Sequence, residues 1–166
     1  MPNKEKGYIS HHAISPIQEF KSIDRDQLIS DGIKFINSPY LWGGRSPFHP
    51  ELSTPCTSVD CSGLVNLLYR LQGKDIPRDA HDQFLQCKKC EFHDLQKGDL
   101  IFHAPKTKPH RIDHVMLFIE DDQFLEAALS VGKIHMTTAQ KRYGLSFNKI
   151  NNEQIVGDYV IHFGYF

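Results

Sequence analysis

Two residues in this chain are of types that together perform nucleophilic chemistry. Cys61 follows Asp60 and precedes Ser62-Gly63-Leu64-Val65. Asp60 is suited to capping a helix that begins at the cysteine, and the unpaired amides and positive dipole end of a helix start favour a thiolate, the attacking form of cysteine. Ser62 and Gly63 are small enough to leave room for a substrate backbone, and an amide N–H there can donate to a developing oxyanion. From these residues alone a buried structural cysteine fits equally well. His114 opens the apolar run Val115–Ile119. A histidine at the mouth of a core strand is held rigidly, as a general base must be. Ten histidines in the chain make a surface histidine at a strand end an open alternative.

The elements that must hold these residues follow from periodicity. Asp24 or Asp26 caps a first helix with Leu28, Ile29, Ile33 and Ile36 at helical spacing, and Pro39 ends it. A loop rich in Gly, Pro and Ser runs over 43–59. The helix starting at Cys61 carries Leu64, Val65, Leu67, Leu68 and Leu71, with Gly73 as its stop. A short helix is predicted from about Arg78, after Pro77, to Leu85. From Gly98 onwards the pattern is strand-like: Leu100–Phe102, Val115–Ile119, Phe124–Ala128, Lys133–Met136 and Val156–Phe166, separated by turn-formers. Helices followed by strands imply an α+β domain, its helical half packed on an antiparallel sheet.

Bulk properties narrow the function. The chain has 166 residues, 19 basic and 20 acidic, for a formal net charge of -1. That length suits one domain, and the near-neutral balance offers no field for a nucleic acid. No apolar stretch approaches the ~20 residues that span a bilayer. The N-terminus has lysines but no apolar core, so it does not read as a signal peptide. The expectation is a cytoplasmic protein, or a periplasmic or secreted one if the natural start lies upstream. Four cysteines are too few for a disulfide framework. Cys87-Lys88-Lys89-Cys90 is a lone CxxC without the further ligands zinc needs, and a helical stretch precedes it. His103, His110 and His114 are separated by a loop of Pro and Lys that reads as a flexible rim. Asp113 reads as a loop residue, although it stands where it could tune the base.

Five blocks in fixed order carry a resemblance. Pro39-Tyr40-Leu41-Trp42-Gly43-Gly44, Asp60-Cys61-Ser62-Gly63-Leu64-Val65, Pro77-Arg78-Asp79-Ala80 with Gln83, Gly98-Asp99-Leu100-Ile101-Phe102 and His114-Val115 together resemble the NlpC/p60 family of cell-wall cysteine peptidases, over about residues 30–145. The resemblance implies a small papain-like α+β fold over 24–166. It assigns Cys61 as nucleophile, His114 as base, and Tyr40 to the cleft wall. The family's third member, usually His, Asn or Gln, lies twelve residues after the base. Here that position is Glu126, a departure, and a carboxylate can orient an imidazole and hold its cation. A longer loop, Phe48–Cys56, is a second departure; it lines the cleft or is solvated. Arg78-Asp79 matches a subgroup that hydrolyses the D-γ-glutamyl-diamino acid bond of freed muropeptides. In that subgroup the Asp, with the Ser after the nucleophile, grips a free amino terminus; the residues also fit a helix cap. Gly7–His12 is similar to the last strand of a bacterial SH3 domain, so residues 1–23 read as a tail or as the remnant of such a domain. The implied partners are peptidoglycan stem peptides, with no metal or cofactor required. The rivals are an amidase or acyltransferase on the same fold, or a module that binds wall peptides without cutting them.

Overall fold

The computed structural model describes residues 22–45 and 58–166. The residues preceding this span, with the Gly7–His12 segment, and the 48–56 loop with Cys56 lie outside the described residues. Helix α1 (Arg25–Lys34) begins at Asp24, whose side chain accepts from the Gln27 amide. Helix α2 (Cys61–Leu71) begins at Asp60, whose carboxylate accepts from the Gly63 amide. Gly73, just past α2, takes a left-handed φ of 81°, the conformation that glycine adopts without Cβ strain. A shorter α3 (Ala80–Gln86) follows. It starts two residues later than the sequence predicts, because Arg78 and Asp79 remain in the loop.

The strands are β1 (Lys88–Lys89), β2 (Leu100–Pro105), β3 (His114–Glu120), β4 (Gln123–Ala128), β5 (Lys133–Thr138), β6 (Gln154–Val156) and β7 (Tyr159–Tyr165), with a short helix α4 (Ala139–Tyr143) between β5 and β6. They form one antiparallel sheet in the order β1-β7-β2-β3-β4-β5, with β6 paired to β7. The fold is α+β, as the order of helical and strand-like patterns implies.

Strands β2, β3 and β4 read as continuous apolar runs because both faces of the sheet are covered. On one face Leu100, Phe102, Leu117, Leu125 and Ala127 pack with Leu28 of α1 and Leu64 and Leu68 of α2. Leu64 and Leu68 are fully buried, each contributing roughly 1.5–3 kcal/mol of burial. On the other face Ile101, Met116, Phe118, Phe124 and Phe163 form a second cluster with Phe147 and Ala139. Side chains alternate along a strand. His103, His114 and Glu126 therefore share the second face with Met116 and Phe124, and the pairings His103↔His114 and Glu126↔His135 set them side by side. A row of polar groups thus crosses four strands at one end of a largely apolar sheet.

Candidate active site

Asp60 organises the mouth of α2. Its Oδ1 accepts from the Gly63 amide at 2.7 Å, and its Oδ2 accepts from the Gly43 amide and from Arg78 Nη2, both at 2.8 Å. Arg78 also donates to Ser62 Oγ at 2.8 Å and to the Gly44 carbonyl at 3.0 Å. Gln83, fully buried, ties α3 to α2 by donating to the Ser62 carbonyl at 3.1 Å and the Pro77 carbonyl at 2.9 Å. Three of the sequence blocks thereby converge on the start of one helix. Cys61 sits there as a free, buried thiol.

The absence of side chains at Gly44 and Gly63 makes this convergence possible. A Cβ on Gly63 would collide with the Gly44 carbonyl and crowd Asp60 Oδ1 at 2.9 Å. Gly63→Ala is expected to cost about 2 kcal/mol in urea unfolding, as overpacking does, and to disturb the cap that carries Cys61. A variant as stable as the parent would remove this close approach from the account.

The His114 imidazole lies near enough to Cys61 for the sulfur to bear on its protonation. Its Nε2 lies 2.6 Å from Glu126 Oε2, so Nδ1 is the nitrogen left for the sulfur. Burial alone would push the His114 imidazole down. The Cys61 sulfur and the Glu126 carboxylate outweigh it and raise the group from 6.5 to about 9. Burial would likewise push the Glu126 carboxyl up, but the His114 hydrogen bond and the charges of His114, Arg142 and His135 hold it below its ordinary range. Helix α2 supplies the sulfur, β3 the imidazole and β4 the carboxylate.

A cleft of about 530 Å³ opens over Cys61 and Ser62, walled by Trp42, Arg78, Asp79 and Arg111 among others. Tyr40, expected in the cleft wall, is bridged to Val59 and is not among the residues lining the cleft. Burial first, then the nearby Cys61 and Asp60 charges, push its hydroxyl up to about 12. The pair Arg78-Asp79 divides in the structure. Arg78 is braced against Asp60, whereas the Asp79 side chain is 75% exposed, 3.9 Å from Arg78. Asp79 occupies the N-cap position of α3 without a side-chain cap bond.

His103 departs from its reading as part of a flexible rim. It is buried, its Nδ1 lies 3.0 Å from the Tyr143 hydroxyl, and its ring stacks on Tyr159 at 4.2 Å and sits 4.9 Å from that of His114. Burial, then the His114 and Arg142 charges, lower it well below 6.5, so it packs beside His114 as a neutral ring. Asp113, half-exposed, lies 3.5 Å from His103 Nε2. Sequence reasoning missed His103, His135 and Arg142. The alternation in β2 that puts His103 on the face of His114 was the one available signal.

A chain that mounts a cysteine on a helix start, opposite a strand-borne histidine backed by an acidic residue, has the architecture of a papain-like thiol site. The chain belongs to the NlpC/P60 family, which it matches over residues 37–151. It is 32% identical over 123 residues to the γ-D-glutamyl-L-lysine dipeptidyl-peptidase of Bacillus subtilis, covering 74% of this chain and 38% of that protein. It is 34% identical over 107 residues to the peptidoglycan endopeptidase RipB of Mycobacterium tuberculosis, covering 62% and 43%. A solved NlpC/P60 family protein of Bacillus cereus superposes with a TM-score of 0.68 at 25% identity, over 90% of this chain and 42% of that one. The chain thus spans about two fifths of the length of these relatives.

Proposed function

We propose that this chain is a cysteine peptidase that hydrolyses peptidoglycan stem peptides at the D-γ-glutamyl-diamino acid bond. The observation that carries the reading is the line Cys61–His114–Glu126, in which the Cys61 sulfur bears on the imidazole from one side and Glu126 lies 2.6 Å from it on the other. Cys61 attacks the γ-carbonyl carbon as a thiolate, forming a C–S bond and a tetrahedral oxyanion held by backbone N–H groups, that of Cys61 included. The C–N bond breaks as His114 gives its proton to the departing amine. His114 then takes a proton from water, which attacks the thioester and returns Cys61. Glu126 keeps the imidazole oriented through both steps, as the carboxylate of a serine-protease triad does.

Asp79 supports the choice of substrate. Its exposed carboxylate faces the same cleft as Cys61 and suits a free ammonium. Tyr40, Ser62 and Arg78 complete the proposed substrate-binding set, Arg78 by fixing Ser62 and the loop at Gly44. An acylated amine carries no charge to pair with the Asp79 carboxylate, so freed peptides gain a contact that uncut chains lack.

Digestion of L-Ala-γ-D-Glu-diamino acid peptides, with and without an N-acetyl group, tests the reading by mass spectrometry. The expected products are L-Ala-D-Glu and the peptide beginning with the diamino acid, with the free-amine substrate strongly preferred. Asp79→Asn is expected to slow the free-amine substrate by roughly tenfold to a hundredfold, in keeping with loss of one charge-assisted contact. Equal cutting of free and acetylated peptides by the parent protein would end the assignment of Asp79. Stoichiometric binding of a peptide that stays intact would favour a binding module.

A further inference from the structure

Glu126 is 1% exposed in its side chain and pairs with His114 through Oε2 alone. A buried carboxylate satisfied on one oxygen is costly, and it tends to take up a proton unless further positive charge lies near. Its other oxygen, Oε1, faces two such groups. His135 Nε2 lies 3.1 Å from it and Arg142 Nε 3.9 Å. Both nitrogens are buried with no hydrogen bond, because distance or angle departs from a donor's line. They act on Glu126 as nearby charge and dipole. The fold holds them there from separate elements: His135 is the β5 residue paired with Glu126, and the Arg142 guanidinium lies over the Tyr143 and Tyr159 rings at 5.9 and 6.0 Å.

We propose that Arg142, assisted by His135, is a positioning residue that keeps Glu126 ionised and thereby fixes the His114 imidazole opposite Cys61. The inference rests on the proposed pairing of His114 with Glu126. A neutral third residue needs no counter-charge, whereas a buried carboxylate in that place does. Arg142 and His135 are therefore the companions of the Glu126 departure. The charged and titratable groups around Glu126 are His114 from β3, His135 from β5, and Arg142 with Tyr143 from α4. Those around His114 on its other sides are Cys61, His103 and Asp113. The Arg142 and His135 charges favour the ionised form of Glu126, so their removal moves its protonation to higher pH.

The test is a carboxyl-carbon NMR titration of Glu126 in the whole chain without peptide, so its outcome is independent of the substrate assignment. Arg142→Met and Arg142→Gln are expected to raise the midpoint by about one pH unit, the effect of losing one nearby opposite charge. Arg142→Lys is expected to return it close to the parent, and His135→Asn to move it upward by less. If Arg142 merely packs between the tyrosine rings, the neutral variants lose melting temperature while the midpoint stays, and the proposal is overturned. A downward shift overturns it as well. Failure of both neutral variants to fold would assign Arg142 a structural role and remove the proposal. Should the peptide assay show no hydrolysis while the midpoint still shifts, the peptidase reading fails and this one stands.

Discussion

Replacing Cys61 with alanine is expected to abolish hydrolysis of a free-amine γ-D-glutamyl peptide, with a loss of at least about 10,000-fold, while the protein stays folded and binds the peptide. The size follows from removing the only group that forms a bond to substrate; what survives elsewhere after such deletions comes from oxyanion donors and binding alone. The fold should tolerate the change. Sulfur to hydrogen at a helix start removes little volume, and alanine is the best helix former. The cap of α2 is made by Asp60 and Arg78 rather than by the thiol. Calorimetry of peptide binding beside the kinetic assay separates loss of chemistry from loss of the site. Parent-like turnover in the variant would take Cys61 out of the mechanism.

His114→Gln carries the second large effect, a loss of about 1000-fold or more in kcat, the scale of removing a positioned acid–base group that acts with its nucleophile. Glutamine is the informative choice because its amide can still donate to Glu126 Oε2, which spares the buried carboxylate an unpaired oxygen. The pH dependence follows from the same residue. His114 is raised from 6.5 to about 9 in the folded chain. The stability it adds is fully present below 6.5 and is lost as pH rises through about 9. The proton that His114 gives to the leaving amine is lost over the same range. Activity and melting temperature of the parent are therefore expected to fall together on the alkaline side, and the melting curve of His114→Gln to be flatter there. Thermal unfolding and kcat across this range check both. A parent whose activity keeps rising past that range would contradict the imidazolium reading.

Much of the site was legible because its signals are local. Asp60 before Cys61 reads as a helix cap from two adjacent residues, and His114 announces itself by the apolar run it opens. Glu126 was legible only through the family spacing, since nothing in Phe124-Leu125-Glu126-Ala127 says that a carboxylate is buried. Arg142 was beyond reach: α4 is five residues long, too short for helical periodicity to emerge. β1 is two lysines without an apolar signal. The insertion of β7 between β1 and β2 is a non-local pairing that composition does not encode. His103 was misread because the Pro and Lys of the following loop suggested mobility, whereas the contacts that bury it come from Tyr143 and Tyr159, dozens of residues away.

The family resemblance and the geometry meet at Arg78-Asp79 in a way neither supplies alone. The motif treats the two residues as a unit. In the folded chain Arg78 is spent on the Asp60 cap, and Asp79 is left facing the cleft. One residue builds the mouth of α2, and its neighbour is left for the contact with substrate that we propose. The division explains why an Arg78 variant should damage folding and turnover together, whereas Asp79→Asn should alter substrate choice first.

Hydroxylamine trapping asks most directly whether a thioester on Cys61 lies on the path. With hydroxylamine present during digestion of the free-amine tripeptide, the γ-hydroxamate of L-Ala-D-Glu is expected to appear in proportion to the amine added, at the expense of the free acid, and to vanish in Cys61→Ala. Release of L-Ala-D-Glu as free acid alone, at every hydroxylamine concentration, would contradict an acyl-enzyme and with it the mechanism built on the sulfur–imidazole pair.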